Sequence, residues 1–262
     1  MSLRRKLLYG GAAVPWSPHA LGRGLLRAWW NADDHASSLL MTDDGSGVIS
    51  SWKDCINGAN LTGTTTARPT WGATSFNGRA GVTADGTANA LTLTGVPTTL
   101  PTGANPSEIW AVYSSTSNGA STRNLFGYGV SATGRAIRES AGFDGVNIIG
   151  DAVAIADTQF PRAGFHIAGA IFNGTTLEGR TNGRPFTTPG TALVPATSPT
   201  RVRMFSSLGT SAGSFWQGVL RHVFVVTSLT AQQRLTLEGW TAWDSGLQAI
   251  LPDSHPYKGS PP

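Results

Sequence analysis

The sequence predicts an all-β protein: two packed antiparallel sheets in a sandwich or jelly roll, with one helix near the C-terminal end. Three observations lead there. Gly at 33 and Pro at 15, beside only 13% charged residues, favour many strands joined by turns. Short apolar runs rich in β-branched residues recur along the chain and are separated by Asn-Gly and Gly/Pro punctuation. Only one segment carries helix start and stop signals, so no βαβ alternation is available. With 262 residues and 40% hydrophobic content the chain can bury a full core, and nothing in its middle resembles a linker, so one domain is expected.

Taken in order, residues 1–24 form a basic arm containing Gly and Pro. Its start imitates a signal peptide, but Gly10 and Gly11 split the apolar stretch and no convincing cleavage site follows. Residues 25–30 (LLRAWW) are an abrupt apolar entry and read as the first strand, and 48–52 resume the pattern after a turn-rich segment. Asn57-Gly58 and Asn77-Gly78 mark turns, 62–70 is polar and extended or irregular, and Trp71 falls in a loop between Pro69 and Gly72. Phe76, Val82, Leu91 and Leu93 read as intermittent anchors.

Pro97, Pro101 and Pro106 enforce a loop before the strong strand signal of 108–113 (EIWAVY). Shorter candidates follow at 125–130, 135–138 and 146–149. Residues 165–172 (FHIAGAIF) end in Asn173-Gly174; residues 175–181 return and Asn182-Gly183 turns again, a hairpin ladder that argues for antiparallel pairing. After 201–206 comes the best strand of the chain, 219–226, too short for a useful membrane span. Thr230 and Gln233 form a capping box for the following helix, Leu229 stands at the staple position, Gly246 supplies a left-handed stop, and Pro252 and Pro256 prevent resumption.

The net charge of +4 belongs to the leader: Arg4, Arg5, Lys6, Arg23 and Arg27 place +5 before residue 28 with no acid among them, leaving the body at −1. A phosphate-tracking groove of clustered basic residues and stacking aromatics is absent, so there is no strong nucleic-acid signal. Cys55 is the only cysteine, which excludes an intramolecular disulfide and a cysteine-based zinc site. The acidic pairs Asp33-Asp34 and Asp43-Asp44 would suit part of a calcium site, but their spacing does not match a twelve-residue calcium loop and turns are the favoured reading; no cofactor is expected.

Glycoside hydrolysis needs two carboxyl groups across a cleft, whereas Glu108, Glu139, Glu178 and Glu238 each stand alone, Glu238 as a surface or capping residue. No histidine has metal-ligand spacing to another, and no Gly-x-Ser-x-Gly elbow precedes a helix. The residues therefore point to a protein that is not an enzyme, with no catalytic residue assigned. For a sugar platform, Trp71 is the best exposed aromatic candidate, and Asn118 and Tyr128, on other turns, are further ligand-binding candidates.

The two ends of the body resemble the concanavalin A-like, laminin-G-type jelly-roll domains of phage and prophage virion proteins. The opening similarity is 26–34 (LRAWWNADD), then 44–54 (DGSGVISSWKD) and Arg68-Pro69-Thr70; the closing one is 229–233, 235–240 (LTLEGW), Gly246-Leu247 and 251–257 (LPDSHPY). Against the usual terminal helix of such domains this chain keeps Glu238, Gly239, Ala242, Gly246 and Leu247, but has Trp240 for Tyr, Thr241 for Leu, Trp243 for His and Ser245 for Trp. The resemblance implies a concanavalin A-like sandwich over 25–262 whose last helix packs on it. It also implies a virion surface component: a tail fibre, spike or capsid decoration, homo-oligomeric, docked to other virion proteins through residues 1–24 and presenting its body to host glycans. A secreted or cell-surface carbohydrate-binding module is the alternative, and a glycoside hydrolase a further one.

Overall fold

The computed structural model describes residues 16–36, 39–64, 66–116, 122–130, 134–139, 146–150, 153–157, 161, 163–174, 176–187, 189–191, 200–209 and 212–262. Its strands run β1 (Leu26–Asn31), β2 (Met41–Asp43), β3 (Ile49–Lys53), β4 (Asn60–Thr62), β5 (Thr70–Phe76) and β6 (Arg79–Asp85). They continue with β7 (Leu91–Thr94), β8 (Ser107–Ser115), β9 (Arg123–Gly129), β10 (Arg135–Glu139), β11 (Val146–Gly150) and β12 (Val153–Ala156). The last are β13 (Gly164–Phe172), β14 (Thr176–Thr181), β15 (Arg184–Pro185), β16 (Gly190–Thr191), β17 (Arg201–Met204) and β18 (Gln217–Val226). A short helix, α1 (Gly22–Leu25), precedes β1, and the main helix, α2 (Ala231–Ser245), follows β18.

The strands form two antiparallel sheets stacked as a sandwich. The first has the order β15-β14-β13-β8-β18-β6-β5, with β1 also on β18 and β16 also on β14; the second runs β12-β11-β10-β9-β17-β7-β4-β3-β2. Asn-Gly turns set the hairpins as expected: Asn77 and Gly78 (φ 46° and 73°) join β5 to β6, and Asn182 and Gly183 (52° and 82°) join β14 to β15. Both central residues are left-handed, the twist that matches paired strands.

Between the sheets lies the main core, with Trp30, Trp52, Phe126, Tyr128, Val202, Met204, Leu220 and Val223 all buried. A second core lies on the outer side of the first sheet, where Trp29, Trp110, Phe224 and Val226 meet Leu237 and Trp240 of α2. Gly169 of β13 lies directly under Trp110, and a Cβ there would stand 2.7 Å from the indole. Trp16 and Leu21 join this second core from the N-terminal side, Trp16 meeting Trp240 edge-on at 6.4 Å. Residues 1–15, including the leader's three consecutive basic residues, lie outside the described residues.

Helix α2 starts and stops where its signals say. Thr230 Oγ1 accepts from Gln233 N–H, Gln233 Oε1 accepts from Thr230 N–H, and Gly246 closes the helix in the left-handed region. Two buried carboxylates pin it. Glu238 lies wholly inside, not at the surface as its isolation in sequence suggested, and receives Arg180 Nε and Nη2 of β14 at 2.8 and 3.0 Å. Glu108 of β8 accepts from Leu229 N–H, Trp110 Nε1 and Arg234 Nε. Its burial raises its carboxyl above the ordinary range, against the opposing pull of Arg234. No helix among the described residues is long and apolar enough to cross a membrane.

Candidate functional site

A partly exposed group of aromatic and ionisable side chains lies at the edge where β5 of the first sheet meets the β2–β3 hairpin of the second. Trp71 is not in a loop: it is the second residue of β5, paired with Val82 of β6. Thr-rich sequence suits an edge strand, and Pro69 stands just outside it, where a missing N–H costs no ladder bond. The indole packs inward against the main core while remaining half-buried. Its Nε1 donates to Ala32 O at 2.8 Å, and Trp71 N donates to Gly47 O at 2.7 Å.

His35 lies over the indole with ring centroids 3.7 Å apart and planes within 10°. It comes from the 3-10 turn Ala32–Ala36, the same turn whose first carbonyl holds the Trp71 N–H. His35 Nε2 stands 3.0 Å from Asp43 Oδ2. That hydrogen bond, with Gly45 N–H, holds the Asp43 carboxyl below its ordinary value. Asp44 is likewise lowered, first by the hydroxyl and N–H of Ser46, and Arg68 stands 3.9 Å away. The corner thus offers an aromatic stack, two ionised carboxylates and a guanidinium within one surface.

A buried polar network anchors the turn from below. Arg221 of β18 is 2% exposed and donates to Ala80 O, to Asp33 on the turn and to Asp244 of α2, the last at 2.6 Å. His222 Nε2 stands 2.9 Å from the same Asp244 carboxylate. Burial keeps His222 below its ordinary pKa. Burial alone would raise Asp244, but the hydrogen bond and charge of His222, together with Arg221, outweigh it and hold the carboxyl well below its usual range. The acidic pairs read as possible calcium ligands are therefore engaged by Arg221, His35 and turn N–H groups. Among the described residues no group of three His, Cys, Asp or Glu is placed to hold a metal ion.

The other two sequence-derived candidates do not join Trp71. Tyr128 is a core residue of β9, 2% exposed, with its hydroxyl 3.1 Å from Ser107 Oγ. It was expected on a turn, but the neighbouring Gly127 is strand backbone, where a Cβ would stand 2.8 Å from that of Ala136. Asn118 lies outside the described residues.

Sequence reasoning missed a second polar cluster, inside the sandwich at the end where β8, β10 and β12 finish. Tyr113, Glu139, Asp157, His166 and Trp216 are each at least nine-tenths buried. Glu139 Oε1 accepts from Trp216 Nε1 at 3.1 Å, and the Tyr113 ring lies 5.2 Å from His166. Burial, then the charges of Glu139 and Asp157, push the Tyr113 phenol well above its ordinary value. These residues are far apart in sequence, and only strand pairing brings them together. Cys55 is half-buried, and burial with the nearby Asp34 and Asp54 pushes its thiol up to about 12, which keeps it protonated.

No protein-family profile and no curated protein sequence matches the chain. Among solved structures, it is similar to Trypanosoma rangeli sialidase in complex with sialic acid, with TM-score 0.60 and 13% identity over 93% of this chain and 35% of that one. The same sialidase in complex with a difluoro-KDN ligand gives TM-score 0.59 and 13% identity over 92% and 37%. A Ruminococcus gnavus IT-sialidase CBM40 bound to α2,3 sialyllactose gives TM-score 0.41 and 11% identity over 50% and 80%. The chain thus spans about a third of the length of the sialidase it resembles. The likeness to the sialidase establishes the sandwich fold, compatible with the concanavalin A-like resemblance, and does not link the chain to a virion. It also overturns one expectation. The isolated glutamates pointed to a protein that is not an enzyme, yet the solved structures it is similar to include sialidases, so a non-enzymatic role no longer follows from the chain.

Proposed function

We propose that the chain is a carbohydrate-binding β-sandwich module and that the Trp71 corner is its ligand site. The observation that carries the reading is the half-exposed Trp71–His35 pair, set beside Asp43, Asp44 and Arg68 on the rim of the sandwich. An indole supplies a broad apolar surface for the C–H face of a sugar, while carboxylates and a guanidinium orient its hydroxyls. The likeness to a sialidase solved with sialic acid supports a sugar ligand. Titration with sialylated and neutral oligosaccharides, repeated with Trp71→Ala at an unchanged melting temperature, tests the reading. Saturable binding lost in the variant is expected; binding that survives moves the site elsewhere, and no binding by either protein rejects it. The virion setting, with the expected arm 1–24 docking through the residues that precede the packed Trp16 and Leu21, and the body in a homo-oligomer, is a second proposal. It rests on the resemblance of residues 26–34 and 229–257 to virion jelly rolls, and recovery of the protein in purified particles tests it.

A further inference from the structure

We propose that His35 is a removable cover on the ligand-facing side of Trp71, latched by Asp43. The inference rests on the carbohydrate-binding reading of this corner and adds how access to it is controlled. One side of the indole packs against the core and its N–H is fixed to Ala32 O, so the ring itself is held in place. The imidazole stacks on the ring at 3.7 Å and nearly parallel, which is the position a sugar ring would take. A sugar reaches the indole only when His35 leaves. The latch is the 3.0 Å contact between His35 Nε2 and Asp43 Oδ2, on a strand separate from the turn that carries the imidazole.

The latch is charge-assisted: the hydrogen bond joins the imidazole to an Asp43 carboxyl held below its ordinary value, and so to a full negative charge. Asp44 with Arg68 stands on the neighbouring loops, and Asp33 on the turn itself is held by Arg221.

Acrylamide quenching of the Trp71 emission, taken as the difference from Trp71→Phe, reads the cover directly and needs no sugar. Quenching is low in the unaltered protein and rises about two- to fivefold in Asp43→Asn, which takes the charge out of the latch. His35→Ala gives high quenching, while His35→Phe restores the stack without the latch and stays low. Oligosaccharide affinity follows the same order, highest in His35→Ala. Quenching that is unchanged in His35→Ala, or unchanged in Asp43→Asn, overturns the latched cover. Quenching that behaves as expected while no oligosaccharide binds any variant leaves the cover standing and removes the carbohydrate reading.

Discussion

The two sheets share one interior, but their outer faces are treated in opposite ways. On the first sheet the outer face is a second core: Trp29, Trp110 and Phe224 are buried under α2, and the covering helix is tied down by Arg180–Glu238 and Arg234–Glu108. The outer face of the second sheet is instead a ladder of polar side chains. Register pairs Thr42 with Ser51, Ser51 with Thr62, Thr62 with Thr92, Thr92 with Arg203 and Thr94 with Arg201, while Leu61, Leu91 and Leu93 point inward between them. Its cover is a loop: Arg203 donates to the carbonyls of Ser207 and Gly209, and Arg201 also donates to that of Gly209. One face is closed by packing; on the other, hydrogen bonds to a passing backbone cover only the Arg201–Arg203 end, and Thr42, Thr62 and Thr94 stay exposed. Stability should therefore be concentrated on the first.

The sharpest way to break this comparison is Phe224→Ala. Phe224 is fully buried against Trp29 and Trp240, and its loss should cost about 3–5 kcal/mol in denaturant melts. A loss below about 1 kcal/mol would mean that the helix side is not a true second core.

Next in size is the acid dependence. Both groups of the His222–Asp244 pair are depressed in the folded state. Below pH 6.5 the unfolded chain takes a proton at His222 that the folded one refuses, and below pH 3.8 the same holds at Asp244. The unfolded state then binds more protons, so stability falls as pH falls. Asp244→Asn should flatten the lower part of that slope and lower stability at pH 7, read from urea midpoints between pH 2.5 and 7. An unchanged slope would show that Arg221 and His222 do not depend on this carboxylate.

Much of this architecture was legible because burial on both faces leaves a mark in sequence. Strands β8, β13 and β18 are covered on both sides and read as continuous apolar runs, and α2 carried its cap, staple and stop in adjacent residues. The second sheet was harder: Leu91 and Leu93 alternate with threonines, a half-buried pattern short enough to pass for scattered anchors. The candidate site was legible only at Trp71. His35 and Asp43 reach it through stacking and a hydrogen bond that no spacing announces, and Tyr128, expected on a turn, is a buried residue of β9. Glu238 gave no sign of burial because Arg180, which makes burial tolerable, is 58 residues away.

The remaining predictions sharpen the contrast. Thr230→Ala removes the capping-box hydroxyl of the covering helix and should cost about 1 kcal/mol in thermal melts. Thr94→Ala, exposed on the polar ladder, should change stability by no more than about 0.5 kcal/mol. If the two costs were reversed, the second sheet's face, not the first's, would carry the tighter cover.

Strand β18 has a kinetic consequence. It pairs with β8 along one side and with β6 and then β1 along the other, so residues near 26 and near 110 both wait for residues near 224. Pairings so distant along the chain require long loops to close before any contact rewards them, which makes folding slow. A ribosome adding residues in order exposes the apolar strands β1 and β8 well before their shared neighbour emerges. During synthesis the first sheet is a pair of unfilled edges around a missing centre, and that interval is when the chain is most open to aggregation.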